Sequence, residues 1–373
     1  ILDQMYAKDR VIIRAQLNLA NGHFLQPTGF PDIGSCVYAG GDGKKRCLVE
    51  SEQSMANRLE AVGMKAPGHW VDELAWLPVI EVGDSNGTLL ATNLTEPHRI
   101  ASSYVLEGKL NGSDLKTMLA DKVGLADGGA IWPLDKREAL EKLVFALDPA
   151  ALLHGFQFVQ WKFVGLRQTR LLSARLECVL AEEAEVHYGM VKFDLIDPSG
   201  QGAGTNKGQS IAAKSRIVAA KGGIEATFDI DILGLKSVAL EDNKKKLLLA
   251  LALWKIGAFL LNKPAFDARS RQTSPALRLR ADCYLSCGDS IEWSAPPENG
   301  TSIKPSELVA AIAGQRMAFD KLAAAQGFEF KRESDGKLLP LRVVYTKSAR
   351  AQPAASTSAP EEPQAGDAQP PGN

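Results

Sequence analysis

Alternation of apolar and polar residues recurs along this chain and favours a sheet with one buried face. It is clearest at 10–20, where Val11, Ile13 and Leu17 alternate with residues such as Arg14 and Gln16. Successive side chains of a strand point to opposite faces, so this run predicts a half-buried strand. Further strands are predicted at 46–50, 77–82, 88–91, 171–180, 186–196, 224–235 and 276–285, with 186–196 pairing with 171–180, and Asn86-Gly87 forming a hairpin turn.

Helical segments lie between these strands. Ser51 is a suitable N-cap for a helix that runs to about Val62 and ends at Gly63. The most apolar run, 247–261, has 15 residues and is interrupted by Lys255. A membrane span needs ~20 apolar residues, so this run predicts a buried helix instead. Helices are predicted at 135–147, 149–155 and 242–261, and from Pro305 to a stop at Gly327.

The order of these elements predicts an α+β fold. Strands and helices do not alternate strictly, which favours an antiparallel sheet covered by helices, with large insertions. We expect one domain over 1–350, with a glycine-bearing loop at about 198–224. Residues 351–373 are rich in Pro, Ala, Ser and Gln and contain no Lys or Arg, which predicts a disordered tail.

Charge excludes one class of protein. Lys and Arg number 43 against 44 Asp and Glu, a formal net charge of -1. This balance argues against a protein that coats nucleic acid by bulk charge, although a local basic groove is compatible with it. The first ten residues lack the apolar core of a signal peptide, and we expect a cytoplasmic protein without a membrane partner.

Two sequence patterns bear on catalysis. The segment 200–208 (GQGAGTNKG) has the glycines of a phosphate loop, but Lys207 precedes Gly208 and no Gly-Lys-Ser/Thr follows, so a flexible loop fits better. The five histidines show no metal-ligand spacing and no HExxH motif. His98 beside Arg99 can serve a phosphate or form hydrogen bonds within a loop, and both interpretations stay open.

Two possible metal sites are also present in the sequence. Asp229 and Asp231 share one face of a predicted strand, where paired carboxylates can bind Mg²⁺ or form salt bridges. Cys283 and Cys287 are spaced C-x3-C without a second pair or a nearby histidine, so two strand thiols are favoured over a zinc site. Neither pattern leads us to expect a bound metal.

Local basic segments point to nucleic acid. Residues 198–224 contain six glycines together with Lys207, Lys214, Arg216 and Lys221, and no acidic residue. Such a segment can follow a phosphate backbone closely. A second basic group comprises Arg269, Arg271, Arg278 and Arg280, the last two on one face of a predicted strand. An ordinary mobile loop and a solvated strand face are the alternative interpretation.

Three sequence blocks carry a resemblance to a known family. They are Phe24-Leu25-Gln26-Pro27-Thr28-Gly29-Phe30-Pro31-Asp32-Ile33-Gly34, then 48–60 (LVESEQSMANRLE) and 92–100 (TNLTEPHRI), with a shorter fourth match at 266–271 (FDARSR). Together they closely resemble the backbone subunit of the type I-U (I-G) CRISPR effector complex, of the RAMP superfamily. The resemblance covers most of residues 10–285.

The resemblance implies both a fold and a role. The fold would be a modified RRM-like (ferredoxin-like) palm with finger and thumb insertions, the thumb-like loop lying at about 198–224. Several copies would stack along one CRISPR RNA and display its guide for pairing with target DNA in antiviral defence. The partners would be other effector subunits, namely the large subunit and the RNA-processing subunit, and a recruited helicase-nuclease. No catalysis and no cofactor are implied, in agreement with the missing catalytic motifs.

The same blocks suggest which residues contact RNA. Gln26, Thr28 and the Gly29 N–H can donate to phosphate or 2′-OH groups, and a helix opening near Ser51 offers a positive dipole end. Ser54, Asn57 and Arg58 can project from that helix. The predicted RNA-binding residues are Gln26, Thr28, Gly29, Phe30, Ser54, Asn57, Arg58, His98, Arg99, Lys214, Arg216, Lys221, Arg269 and Arg271.

Two other functions are alternatives to this RNA-binding role. A RAMP-type ribonuclease that processes CRISPR RNA would give defined cleavage products, lost on replacing His98 or His23. A metabolic enzyme of another class would purify free of nucleic acid. Gln26 and Asn57 also have a plainer alternative, which is to satisfy buried backbone groups of their own loops.

Overall fold

A nine-stranded sheet forms the centre of the computed structural model. The structure describes residues 1–30, 34–125, 136–159, 161, 167–188, 194–195, 208–209, 214–268, 271–280, 283–316, 331, 333–335 and 337–346, and all structural statements concern these residues. The strands of this sheet are β1 (Arg10–Leu19), β4 (Val37–Ala39), β5 (Lys45–Glu50), β14 (Leu172–Tyr188), β17 (Lys214–Asp231), β20 (Arg278–Arg280), β21 (Cys283–Cys287), β22 (Ile291–Ser294) and β23 (Thr301–Ile303).

The strand order defines the core topology. Seven strands follow one another as β20-β21-β1-β17-β14-β5-β4, and β22 also pairs with β1. Helix α2 (Glu52–Ala61) lies between β1 and β14 in the chain, and α8 (Asp242–Leu260) lies between β17 and β21. The antiparallel neighbours β21-β1-β17-β14 therefore have the βαββαβ connectivity of ferredoxin-like domains. The predicted α+β class with an antiparallel sheet is confirmed.

The core lies between this sheet and α8. On β1, Val11, Ile13, Ala15 and Leu17 are buried, as their alternation predicts. Helix α8 is apolar on nearly all sides and buried from Leu247 to Leu260, as predicted for this run. Phe228 of β17 meets Phe259 of α8 edge to face, with ring centroids 6.1 Å apart.

A second sheet of five strands stands beside the first. Its members are β8 (Ile80–Gly83), β9 (Leu89–Thr92), β10 (Lys109–Leu110), β11 (Ser113–Asp114) and β24 (Leu341–Val344), in the order β11-β10-β24-β8-β9. Strands β8 and β9 form the predicted hairpin, in which the Asp84 carboxylate accepts from the N–H groups of Asn86 and Thr88 at 2.9 and 2.8 Å. Gly87 has φ +84°, a conformation that glycine adopts without strain.

The other elements are short ribbons and helices. The ribbons are β2 (Gly29–Phe30) with β3 (Gly34–Ser35), β6 (Met64–Ala66) with β7 (His69–Trp70), β12 (Phe156–Gln157) with β13 (Arg167–Gln168), β15 (Asp194–Leu195) with β16 (Gly208–Gln209), and β18 (Pro264–Asp267) with β19 (Gln272–Pro275). The helices are α1 (Leu2–Tyr6), α3 (Ser103–Leu106), α4 (Leu115–Lys122), α5 (Arg137–Leu147), α6 (Pro149–His154), α7 (Ile232–Ser237) and α9 (Pro305–Ala310), with 3-10 turns at Asp72–Leu74 and Arg99–Ala101.

The predicted loop at about 198–224 is wrong for residues 214–224, which belong to a strand. Strand β17 begins at Lys214, so Lys214, Arg216 and Lys221 lie on a long strand that pairs with β14. The register shifts between Cys178 and Leu180, which oppose Ile224 and Ala219. A bulge with glycine at left-handed φ accommodates the extra residues, and Gly222 has φ +66°. Residues 198–207 and 210–213 lie outside the described residues, as does the tail 351–373.

Three boundary predictions are also wrong. The segment 186–196 is not a separate partner strand, because Leu172–Tyr188 is one continuous strand. The run 276–285 contains two antiparallel neighbours, β20 and β21, because alternation can continue across a chain reversal. Helix α9 ends at Ala310 instead of continuing, and Gly314 soon follows with φ +83°. The predicted stop at Gly327 lies outside the described residues.

The described residues contain neither a helix that could span a membrane nor a cluster that could hold a metal ion. No helix among them combines the length and the apolar character that crossing a membrane requires. The five cysteines form no disulfide within the described residues, and Cys283 and Cys287 stand at the two ends of β21. Within the described ranges no three His, Cys, Asp or Glu side chains are grouped to hold a metal ion.

Candidate functional site

Three of the four sequence blocks meet at one groove. Its cavity volume is about 470 Å³. Helix α2 forms one side, the 94–97 segment a second, and the β18–β19 ribbon with β20 a third. We call it the α2 groove. Its lining residues that matter below are Gln53, Ser54, Asn57, Arg58, Glu60, Glu96, Asp267, Arg278 and Arg280.

Helix α2 presents its polar face to the α2 groove. The Ser51 hydroxyl accepts from the Ser54 N–H at 3.3 Å, which confirms the predicted N-cap. Met55, Ala56 and Leu59 form the buried side of the helix. Ser54, Asn57 and Arg58 line the groove on the other side, so the three residues predicted to project from one face of this helix do so.

A buried carboxylate organises the basic wall of the groove. Glu50 is the last residue of β5 and is fully buried. Its Oε1 accepts from Arg58 Nη2 at 2.7 Å and from Arg280, and its Oε2 accepts from the Ser54 hydroxyl. Burial raises the pKa of Glu50, but the charges of Arg58 and Arg280 and the Ser54 hydrogen bond outweigh it and hold the pKa below its usual value.

The same arginine ties helix α2 to strand β20. Arg58 Nη1 donates to the carbonyl of Arg278 at 3.2 Å, and Nη2 donates to that of Leu279 at 2.7 Å. Arg278 stacks its guanidinium on the Tyr284 ring, 5.5 Å from the centroid. Arg278 and Arg280 both line the groove, as their shared strand face predicts. The basic wall therefore consists of Arg58, Arg278 and Arg280.

Acidic residues line the same groove as the basic ones. Glu60, Glu96 and Asp267 line the α2 groove as well. Glu60 accepts from Arg99 through both oxygens, at 2.6 and 3.0 Å, and Glu96 accepts from the Ser102 hydroxyl at 2.7 Å. The groove thus contains both guanidinium donors and carboxylate acceptors, a set that suits phosphates together with sugar or base N–H and O–H groups.

In the third block, the neighbouring residues His98 and Arg99 have opposite surroundings. His98 is exposed. Arg99 is buried, has φ +53°, and in addition to Glu60 donates to the Gly155 carbonyl at 2.9 Å. The structure gives each Arg99 nitrogen a partner within the protein, so this residue holds the 93–101 segment against α2 and α6. Its contact with RNA stays a prediction.

The first block meets the basic strand at a second, smaller pocket. Gln26 and Arg216 line a cavity of about 130 Å³ together with His23 and Phe24. Leu25 and Ile217 exchange backbone hydrogen bonds of 2.8 Å in both directions, which fixes this contact. The Thr28 N–H donates to the Val49 carbonyl at 2.8 Å, so it is already occupied, and Gly29 and Phe30 form β2.

The remaining predicted residues are dispersed. Lys221 is exposed on β17, and Lys214 is the first residue of that strand. Arg271 is exposed with φ +53° at the start of the β19 arm. Arg269 lies outside the described residues. Sequence reasoning did not identify Glu50, Glu60 and Asp267 as groove residues, and it noted Arg278 and Arg280 only as basic residues of a strand.

The carboxylate pair considered for Mg²⁺ has structural partners. Asp229 accepts from Arg10 Nε through both oxygens, at 2.9 and 3.0 Å. Asp231 caps α7 by accepting from the Gly234 N–H at 2.7 Å. The salt-bridge and capping interpretation therefore explains both residues.

A second buried charge cluster lies under the 93–101 segment. Lys255 Nζ is 2.9 Å from His154 Nε2, and both side chains are buried. Burial lowers the pKa of Lys255 to about 8, and it lowers the pKa of His154 well below its usual value. Asp148 accepts from the Ile100 N–H at 3.1 Å and caps α6, and burial raises its pKa to about 6.

Comparisons with known proteins agree with part of the resemblance. Residues 11–183, a little under half of the chain, match the family described as CRISPR-associated protein GSU0053. This match supports a CRISPR-associated protein and leaves the subtype open. No curated protein matched the sequence.

A distant similarity to a solved structure was also found. A chain titled "CRISPR RNA-guided surveillance complex, pre-nicking" is 12% identical, with 91% of this chain and 96% of that chain covered and a TM-score of 0.32. A similarity of this size supports no inference about fold or function.

Proposed function

We propose that the protein is a non-catalytic RNA-binding backbone subunit of a CRISPR effector complex. Several copies would line one CRISPR RNA and present its guide for pairing with target DNA. The observation that carries the proposal is the meeting of three sequence blocks, far apart in the chain, at the α2 groove. The family match over 11–183 supports the same assignment and contains two of these blocks entirely.

The chemistry of the α2 groove fits an RNA strand. Arg58, Arg278 and Arg280 supply positive charge for phosphates, and guanidinium groups bind phosphate oxygens well. Asn57 and Gln53 are exposed polar side chains on the same helix face. RNA is distinguished from DNA by its 2′-OH, which can donate to a carboxylate, and Glu60, Glu96 and Asp267 line the same groove as the arginines.

The finer features of the proposal follow from the resemblance. They are assignment to type I-U (I-G), contact with further copies and with the large and RNA-processing subunits, and recruitment of a helicase-nuclease that cuts the DNA. On this proposal the subunit needs no cofactor of its own and no metal.

Co-expression with a CRISPR array tests the proposal. The full chain is purified, its absorbance ratio at 260 and 280 nm is measured, and any bound RNA is sized and counted per protein copy. We expect protected RNA of uniform length with several protein copies on each strand. Purification free of nucleic acid would overturn the proposal.

A second measurement separates a scaffold from a ribonuclease. Array RNA is incubated with the purified protein in the presence of Mg²⁺, and the products are resolved by gel. We expect intact RNA with the wild type and with His98→Ala. Defined products that disappear in His98→Ala or His23→Ala would identify a processing nuclease instead.

A further inference from the structure

Glu50 is a negatively charged residue placed inside the basic wall of a groove. Its side chain is fully buried, whereas those of Arg58 and Arg280 are 20% and 24% exposed. The carboxylate therefore cannot meet a ligand in the α2 groove, but the two guanidinium groups that it holds can. A buried carboxylate carries a large desolvation penalty, so its presence here calls for an explanation.

Its contacts join elements that are distant in sequence. Arg58 comes from α2 and Arg280 from β20, and Glu50 Oε1 accepts from both. The Ser54 hydroxyl satisfies the other oxygen. Arg58 also donates to the carbonyls of residues 278 and 279, so the carboxylate and the helix together fix the position of β20 along the groove.

Two arginine side chains without such a clamp would sample many rotamers. Each would lose side-chain entropy when a ligand immobilised it. Ion pairing to Glu50 restricts them before binding, which is the general advantage of preorganisation. An anion with two negatively charged groups at a fixed separation, such as successive phosphodiesters, gains most from a preset pair.

We propose, on the basis of the proposed function, that Glu50 is the positioning residue of the α2 groove. It holds Arg58 and Arg280 as a preset pair for the phosphodiester backbone of an RNA strand. It does not touch the RNA and acts through the two arginines.

The proposal and simple electrostatics predict opposite results for one substitution. Glu50→Gln removes a negative charge beside a basic wall, so bulk electrostatics predicts tighter binding of RNA. Positioning predicts weaker binding, because the two guanidinium groups are released. Glu52→Gln is the matched control, since it removes the same charge from an exposed residue two positions later.

The measurement is anisotropy of a fluorescein-labelled single-stranded transcript of the CRISPR array, titrated with full-length protein over a range of salt concentrations. For Glu50→Gln we expect roughly tenfold weaker binding. Its log–log salt slope should fall by about 1.4, for two contacts at ~0.7 each. Glu52→Gln should bind like the wild type. Equal or tighter binding by Glu50→Gln with an unchanged slope would overturn the proposal.

A second variant covers the case in which Glu50→Gln does not fold, as judged by circular dichroism. Arg280→Gln keeps the Glu50–Arg58 and Glu50–Ser54 contacts and should lower the salt slope by about 0.7. An unchanged slope in this variant would equally overturn the proposal. Where both variants fold, the double variant should lose less affinity than the two single losses combined, since Glu50 acts partly through Arg280.

The wild-type titration distinguishes failure of the proposed RNA-binding function from failure of the positioning role of Glu50. A wild-type protein that does not bind the transcript contradicts the proposed function itself. A wild type that binds, beside a Glu50→Gln variant indistinguishable from Glu52→Gln, contradicts the positioning role alone.

Discussion

Glu50 and Lys255 are both fully buried ionisable residues, yet their surroundings differ. The Glu50 carboxylate has two cationic partners and a hydroxyl donor, and its pKa lies below the usual value. Lys255 has the His154 ring nitrogen at 2.9 Å and the Trp70 ring at 5.9 Å, and its pKa falls to about 8. Nδ1 of His154 is buried without a partner among the described residues.

The difference is that the Glu50 carboxylate stays ionised near neutral pH, whereas the Lys255 ammonium is close to losing its proton. A buried charge with full hydrogen bonding and opposite charges nearby stays ionised and holds its partners in place. A buried ammonium without a contacting carboxylate sits near its titration point and contributes less as an ion. Glu50 therefore organises a surface groove, whereas Lys255 is a group of the core whose charge depends on pH.

The largest expected effect is the loss of the Glu50 carboxylate. Glu50→Ala should lower the free energy of unfolding by about 3 kcal/mol, because two half-buried guanidinium groups lose their counter-charge. Because the pKa of Glu50 is lowered in the fold, its ionised carboxylate stabilises the protein above the pKa of the unfolded chain, ~4.3. That stabilisation is lost as the pH falls through the pKa of the folded state. Urea unfolding at pH 7.5 and at pH 4 measures both effects, with Glu52→Ala as the control.

Lys255→Met tests the other side of the comparison. The folded pKa of Lys255 is about 8, against an ordinary lysine pKa of 10.5. The unfolded chain therefore binds more protons between these values, and wild-type stability should rise with pH across the window. Relative to Lys255→Met, the wild type should gain about 2 kcal/mol from pH 7.5 to 9.5.

Urea unfolding at the two pH values provides the measurement for Lys255. Lys246→Met serves as control, because Lys246 lies on the same helix but is paired with Asp3 at 2.6 Å. A difference between wild type and Lys255→Met that stays constant with pH would show that Lys255 keeps an ordinary pKa in the fold.

Arg99 connects the two regions, because it pairs with groove residue Glu60 and lies near the Lys255 cluster. Arg99→Lys should lower the free energy of unfolding by about 1.5 kcal/mol, since lysine cannot bond both Glu60 oxygens and the Gly155 carbonyl. Arg271→Lys is the matched control, as Arg271 has the same φ of +53° but is exposed. Unchanged stability in Arg99→Lys, with weakened RNA binding, would assign Arg99 to the RNA.

The smallest effect is expected at Lys221. It is exposed on β17, so Lys221→Ala should change the free energy of unfolding by less than ~0.5 kcal/mol. If it meets a phosphate, the salt slope of RNA binding should fall by about 0.7. Comparing this variant with Arg280→Gln in the same titration shows whether the RNA follows the α2 groove, β17, or both.

Local patterns predicted much of the fold. Ser51 as N-cap, the β1 alternation and helix 242–260 follow from sequence spacings of a few residues. The strand at 214–224 was missed because Gly222, Gly223 and unpaired lysines are typical of loops. Pairing with β14 overrides that tendency, and the two glycines fit a bulge where a Cβ on Gly223 would lie 3.0 Å from the Val179 carbonyl oxygen.

The candidate site was predictable only in part. Helical spacing placed Ser54, Asn57 and Arg58 on one face, and the structure agrees. The pairing of Glu50 with Arg280 joins residues 230 positions apart, and no local pattern encodes it. Arg99 is similar, since the sequence left open a phosphate contact or hydrogen bonds within a loop, and only the tertiary structure shows the buried ion pair with Glu60.

Strand β24 sets the order in which the second sheet can be completed. It lies between β10 and β8 and pairs in parallel with β8, although Leu341–Val344 follow Ile80–Gly83 by most of the chain. During synthesis the β8–β9 and β10–β11 hairpins therefore emerge from the ribosome long before the strand that joins them. Until then each hairpin keeps an open edge, where non-native strand pairing can occur. A non-local pairing of this kind also makes folding of the second sheet a late and slow event.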